Sequence, residues 1–179
     1  MKTLTLLRHA KSGDDGLAAR DLDRRLNAKG RRAARAMGRH LRETGARFDA
    51  VLASPAVRVM ETVEEVSAGY GRDLAPIWDR RIYLAPAAEL IEVLHEAPVD
   101  AESVLLVGHN PGLEELVLAL VADETDLRRG QVEEKYPTAS VAEIALEIAD
   151  WKDLAPGTGT LKRFVRPRDL DPTLGPDYP

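Results

Sequence analysis

The chain has 179 residues, 44% hydrophobic and 31% charged, with no cysteine. That suits one globular domain able to bury roughly 70% of its unfolded surface, and it excludes disordered and fibrous architectures, thiol catalysis, zinc–thiolate sites and iron–sulfur clusters. The formal charge of −5 sets the molecule as a whole against nucleic acid and anionic membranes, so any anion must be captured by local positive charge. Met1-Lys2-Thr3 leads into an apolar run broken by Arg8, too short for a signal peptide. No stretch approaches the ~20 apolar residues of a membrane span, and a cytoplasmic protein is expected.

The first predicted element is a strand over Thr3–Leu7 (TLTLL), a nearly continuous apolar run of the kind covered on both faces in a parallel sheet. Gly30–Arg42 follows with Ala33, Ala34, Met37 and Leu41 on one face and Arg31, Arg32, Arg35, Arg39 and Arg42 opposite, an amphipathic helix with a basic outer face. A second strand, Ala50–Ala53, runs into Ser54 as N-cap and Pro55 as first helical residue, opening a helix through Val59, Met60, Val63 and Val66. A shorter helix is predicted over Ala87–Glu96. A third strand, Ser103–Val107, is followed by Asn110-Pro111 in the same cap arrangement and by a helix carrying Leu113, Leu116, Val117, Leu120 and Val121. Ile144, Leu146 and Ile148 then alternate with Glu143, Ala145 and Glu147, and Thr160–Val165 is the predicted hairpin partner. Past Arg166 the chain is rich in Pro, Gly and Asp, a surface strap or loose tail. The expected fold is α/β: a three-layer α/β/α sandwich with a mostly parallel central sheet and an antiparallel edge hairpin, one domain over residues 1–170 and a tail over 171–179.

Ligands of open α/β folds bind at the C-terminal edge of the strands. That edge would gather Arg8-His9, the segment from Ser54 to Arg58, and Gly108-His109-Asn110, beside two helix N-termini that favour anions. Two arginines and two histidines there read as a phosphate site, because guanidinium groups match phosphate oxygens in bidentate geometry and stay charged. Positive neighbours lower a histidine's pKa, and a neutral imidazole is a nucleophile. His9 is therefore expected to attack phosphorus, with Arg8, Arg58 and His109 stabilising the equatorial oxygens. No metal and no cofactor is called for, since the arginines supply the positive charge.

These segments, LLRHAKS (Leu6–Ser12), SPAVRVMET (Ser54–Thr62) and VGHNPGL (Val107–Leu113), resemble the three signature segments of the histidine phosphatase superfamily, also called phosphoglycerate mutase-like. Within it the chain is most similar to the short SixA-like phosphohistidine phosphatases. Asp21, Arg24, Leu26 and Gly30 match a DxxRxL element and its following glycine, while Tyr83–Leu94, Tyr136–Ser140 and Leu161–Pro167 resemble further segments of that subgroup. RHA stands where most members have RHG. The resemblance spans about residues 2 to 170. It implies a phosphohistidine intermediate on His9, with Arg8, Arg58 and His109 as phosphate ligands and Arg24 as a further one.

No residue stands in an unmistakable general-acid motif; Glu89, Asp14, Asp15 and Glu114 are positional candidates only. A phosphoramidate can be protonated on its imidazole before the P–N bond breaks, so the gap favours phosphohistidine as substrate. The expected partner is a phosphorylated protein, such as a histidine phosphotransfer domain, or else a small phosphate ester. A small-molecule phosphomonoesterase and a non-catalytic phosphate-binding docking module are the alternatives. Plainer roles suit other residues: Ser54 and Asn110 as helix caps, His40 and His95 as helix-surface residues, and Lys11 and Ser12 at the pocket mouth. Arg24 either reaches the site or pairs with Asp21 or Asp23. Asp14–Asp15 form a turn beside Gly13 and Gly16 rather than a metal site. The arginine-rich helix lacks interleaved aromatics, so it is read as a solvated face and not a nucleic-acid surface.

Overall fold

A computed structural model describes residues 1–13 and 18–176. Six strands form one sheet: β1 (Lys2–Arg8), β2 (Ala50–Ala53), β3 (Ile77–Trp78), β4 (Ser103–Gly108), β5 (Val141–Leu146) and β6 (Gly159–Val165), in the order β3-β2-β4-β1-β5-β6. The first four strands in that order are parallel, β5 is antiparallel to β1 and β6 antiparallel to β5, which is the expected parallel sheet with an edge hairpin. Side-chain alternation splits the core between two faces. Leu4, Leu6, Val104 and Leu106 point to one, and Leu7, Leu105 and Val107 to the other.

The second face is covered by α1 (Ala28–Glu43) and α2 (Val57–Tyr70), and the first by α3 (Ala87–His95) and α4 (Gly112–Leu120). Asn27 caps α1, its side chain accepting the Gly30 N–H at 2.7 Å. Gly30 sits so close to the loop after β1 that a Cβ would fall 2.1 Å from the Lys11 carbonyl oxygen, so its lack of a side chain lets α1 support the segment after His9. Gly112 does the same for the start of α4, where a Cβ would lie 2.0 Å from the Ala85 carbonyl.

Several elements depart from expectation. α2 begins at Val57 with Ala56 as cap residue, not at Ser54-Pro55, and α4 begins at Gly112 after Pro111. Two elements carry no clear sequence signal: β3, whose two residues are both exposed, and α5 (Leu127–Glu134), which buries only Val132. The basic face of α1 is not simply solvated, since Arg31 reaches Glu61 at 2.6 Å and Arg35 reaches Glu65 at 3.0 Å across to α2. Beyond Arg166 the chain is a strap as far as Pro176. A short helix, α6 (Pro167–Leu170), and a 3₁₀ turn over Pro172–Leu174 pack Leu170 and Leu174 against the α1/α2 side, and Lys29 donates to the Gly175 carbonyl. No helix among the described residues is long and apolar enough to cross a membrane.

Candidate active site

The C-terminal ends of β1 and β4 are locked together, with the His9 N–H donating to the Gly108 carbonyl at 3.0 Å. On the other side the Tyr136–Ser140 segment clamps the same pair: the Ala139 N–H points at the carbonyls of Arg8 and His9, and the Arg8 N–H donates to Ser140. Around this seam lies a pocket of about 400 Å³ lined by Arg8, His9, Arg24, Arg58 and His109. All five residues singled out in the sequence are thus brought together. Lys11 and Ser12 line its mouth, as does Asp21, which the sequence reading placed in the DxxRxL element and as a partner for Arg24.

His9 is buried, and its Nδ1 lies 2.7 Å from the Ala10 carbonyl. A carbonyl only accepts, so Nδ1 carries the proton and Nε2 keeps its lone pair. The Ala10 peptide is fixed from its other side too, its N–H donating to Thr62 Oγ1 at 2.9 Å while that hydroxyl donates to the Arg58 carbonyl at 2.6 Å. Thr62 therefore ties the loop after His9 to the turn of α2 that carries Arg58.

His109 shows the opposite tautomer. Arg58 Nη2 lies 3.3 Å from its Nδ1, and Ser54 Oγ lies 2.8 Å from its Nε2. A guanidinium only donates, so the ring proton sits on Nε2 and is donated to Ser54. Ser54 is thus a buried support for His109 rather than a simple cap. Asn110 keeps its capping contact, Oδ1 accepting the Glu114 N–H at 3.3 Å. Its amide also shares the Tyr136 carbonyl with Arg8 Nη1.

Both imidazoles are held neutral. Burial lowers His9 to about 3, with Arg8, His109 and Arg58 adding to the shift and the Ala10 hydrogen bond opposing it. His109 is lowered to about 4, again by burial first and then by Arg58. The expected depression is present, but desolvation, not neighbouring charge, is its main cause.

Asp21 supplies the counter-charge. Its carboxylate accepts from the Tyr83 hydroxyl, from Arg58 at 2.9 Å and from Arg24 at 3.2 Å. The Tyr83 hydroxyl, then Arg58 and Arg24, hold it down to about 2. Arg24 both reaches the pocket and pairs with Asp21, while Asp23 is taken by Arg20. Tyr83 stands edge-on to His109 with centroids 5.3 Å apart. The loop bearing Asp21 and Arg24 is anchored by buried Glu61, which accepts from the Leu26 N–H, Arg25 and Arg31. Neither Tyr83 nor Glu61 was singled out in the sequence; Glu61 lies inside SPAVRVMET, three residues after Arg58.

Of the positional acids, Glu89 and Glu114 are not among the described lining residues. Glu89 is exposed in the first turn of α3. Glu114 is half-buried near Arg8, where burial pushes its carboxyl up and Arg8 opposes the shift. Asp14 and Asp15 lie outside the described residues. Among the described residues no group of three or more His, Asp or Glu is placed to hold a metal. His95 is more than a surface residue, since its Nε2 meets the Leu154 carbonyl at 2.8 Å.

The description "histidine phosphatase superfamily (branch 1)" belongs to a family model that matches residues 4–82. The uncharacterized protein Rv1276c of Mycobacterium tuberculosis is 35% identical over 166 residues, covering 90% of this chain and all of that protein. A structure from Nakamurella multipartitia, described as a candidate phosphohistidine phosphatase SixA, superposes with a TM-score of 0.78 at 30% identity, covering 93% of this chain and 96% of that one. The protein histidine phosphatase SixA complexed with tungstate gives 0.71 at 25% identity, covering 94% and 99%.

Proposed function

Because this chain belongs to the histidine phosphatase superfamily, on its SixA-like side, we propose that it is a metal-independent phosphatase that works through a phosphohistidine on His9 and dephosphorylates phosphohistidine on a protein partner. One observation carries the reading. His9 gives its Nδ1 proton to the Ala10 carbonyl, so the Nε2 lone pair stays available in a pocket lined by Arg8, Arg24 and Arg58.

In the first step His9 Nε2 forms a bond to phosphorus as the P–N bond to the substrate imidazole breaks; that ring, protonated beforehand from solvent on its other nitrogen, takes the bonding pair and leaves as neutral imidazole. The Nδ1–H bond to Ala10 persists, and the carbonyl dipole supports the positive charge the phosphorylated ring acquires. Arg8, Arg24 and Arg58 hold the equatorial oxygens. His109 keeps its orientation through Ser54, and a phosphate dianion beside it favours protonation, which turns Nδ1 into a donor to the same oxygens. Water then attacks phosphorus, the His9–P bond breaks, and inorganic phosphate leaves. The tungstate bound by the SixA relative is a tetrahedral oxyanion of the kind such a pocket would take.

The acids support the substrate class. Asp21 is the one carboxylate among the described lining residues, and it is kept ionised by Tyr83, Arg58 and Arg24. A pocket without a protonated acid suits a phosphoramidate better than an alkyl ester.

The test is phosphate release from an aryl phosphate and from a phosphohistidine-bearing protein, with chelator present, for wild type and His9→Ala. Turnover that resists chelator and vanishes in the variant, together with an acid-labile phosphoryl group trapped on the wild-type protein, supports the reading. Turnover surviving in His9→Ala overturns it. A phosphohistidine protein hydrolysed no faster than the aryl phosphate, by kcat/KM, overturns the substrate class alone.

A further inference from the structure

Beside the pocket lies a second cavity, of about 480 Å³, that shares Arg8, Lys11 and Thr138 with it. Its rim is formed by Arg8, Lys11, Lys29, Lys135, Arg166 and Arg168, and no aspartate or glutamate is among its described lining residues. Such a cluster in a chain of formal charge −5 is a local reversal of the molecule's field. Between the cations the surface is apolar, with Ala33, Pro137, Pro167 and Leu174 contributing.

Part of this charge already has partners. Arg166 pairs with Asp169 at 2.9 Å, Lys29 donates to the Gly175 carbonyl, and Arg8 Nη1 to the Tyr136 carbonyl. Lys135 is exposed, and its side chain makes no hydrogen bond or ion pair among the described residues, only its backbone N–H bonding the Gln131 carbonyl. Arg8, on the wall common to both cavities, has its Nε buried without a hydrogen-bond partner, and a buried donor left unmade is costly.

On the phosphatase reading above, we propose that this cavity docks an acidic segment of the phosphoprotein substrate, one carrying Asp or Glu side chains interspersed with small apolar residues on one side of the phosphohistidine. Cations over an apolar floor match such a segment in both charge and surface. A nucleotide fits less well, because no aromatic ring is among the described lining residues to stack a base. Continuity with the catalytic pocket through Arg8 lets one polypeptide occupy both, so the groove adds to KM and to the choice of partner rather than to the chemical step.

The experiment compares two phosphohistidine peptides that differ only in flanking Asp/Glu against Asn/Gln. They are assayed on wild type and on the Lys135→Glu/Arg168→Glu variant, with an aryl phosphate as control. Both substituted residues lie outside the catalytic pocket. Wild type is expected to prefer the acidic peptide by about tenfold in kcat/KM, through KM and with strong salt dependence, and the variant to lose that preference. Aryl phosphate turnover should stay within about twofold, as the chemical step is untouched. Equal rates on the two peptides in wild type, or a preference that survives the double reversal, overturn the proposal. So does inhibition by inorganic tripolyphosphate that is lost in the variant while the peptides are not distinguished, which marks a small-molecule subsite. If wild type turns over none of these substrates, the phosphatase reading has failed, and fluorescence anisotropy with the labelled, unphosphorylated acidic peptide decides the groove separately. Binding about tenfold weaker in the variant upholds docking, and equal binding overturns it.

Discussion

Asp21 Oδ2 lies 2.9 Å from Arg58 Nη2, so an arginine expected to hold phosphate is already engaged by a carboxylate of its own chain. An incoming phosphate competes with Asp21 for Arg58 and Arg24. Asp21→Asn removes the charge while retaining groups that bond Arg58 and Tyr83. The expected result is phosphate binding tighter by about fourfold to tenfold, the size of one charge interaction at ~5 Å in a water-like dielectric of about 50–80. Competition of inorganic phosphate with an aryl phosphate substrate measures it. Weaker phosphate binding in the variant would show instead that Asp21 serves to position Arg58.

The two neutral imidazoles make the protein acid-sensitive. Unfolded, both histidines protonate below about pH 6.5, whereas folding holds His9 neutral down to about 3 and His109 down to about 4. The unfolded state therefore binds more protons in this window, and stability falls as pH drops. Two groups contribute an upper figure of about 4 kcal/mol between pH 7.5 and 5. Urea midpoints at the two pH values check this, with His109→Gln expected to remove about half of the loss. A midpoint that does not move would contradict the burial of both rings.

Thr62→Val deletes the hydroxyl that links Ala10 to Arg58. The valine keeps the shape but strands the buried Ala10 N–H, at a cost of about 1–3 kcal/mol. Because Ala10 also accepts from His9 Nδ1, kcat should fall by about tenfold along with the loss in Tm, and Thr62→Ser should restore both. A stability loss with unchanged kcat would separate the link from catalysis.

Arg8, His9, Arg58 and His109 were legible because each sits at or just beyond the C-terminal end of a strand or in the first turn of the helix after it, and parallel topology carries those ends to one edge. The strands themselves were legible as apolar runs, and α1 by its period. What escaped was long-range side-chain pairing, which no local pattern encodes. Asp21 meets Arg58 across 37 positions and Tyr83 across 62. Ser54 is well formed as a cap, and its bond to His109 appears only once β2 and β4 pair. β3 is too short to alternate, and α5 buries one side chain, too few to leave a stripe.

Ser54→Ala should separate orientation from charge at His109. Without the hydroxyl, Nε2 loses its acceptor and the ring is no longer held with Nδ1 toward Arg58. The expected loss in kcat/KM is about tenfold, the equivalent of one ordinary hydrogen bond, with a changed acid limb of the pH–rate profile. A profile and rate equal to wild type would reduce Ser54 to the capping role its sequence position suggests.

Leu84 gives the sharpest handle on substrate class. It lines the pocket around His9 and His109, is 52% exposed, and is held at a φ of 50°, a left-handed conformation uncommon outside glycine. A branched apolar side chain thus stands at the mouth of a pocket whose other described lining residues are all polar or charged. Leu84→Glu places a carboxyl there, and at pH 5 a fraction of it is protonated. If the pocket is restricted to phosphohistidine and aryl phosphates because it lacks an acid, this change should raise kcat for an alkyl phosphate by about tenfold or more, at the low end of general-acid effects. Turnover of the phosphohistidine peptide should stay level or fall from charge repulsion. The control is Leu84→Gln, which shares the shape but cannot donate a titratable proton and should leave the alkyl rate unchanged. Efficient alkyl phosphate turnover by wild type would mean that an acid already acts from outside the lining, and half-buried Glu114 near Arg8, its carboxyl pushed up by burial, would be the first to replace by glutamine.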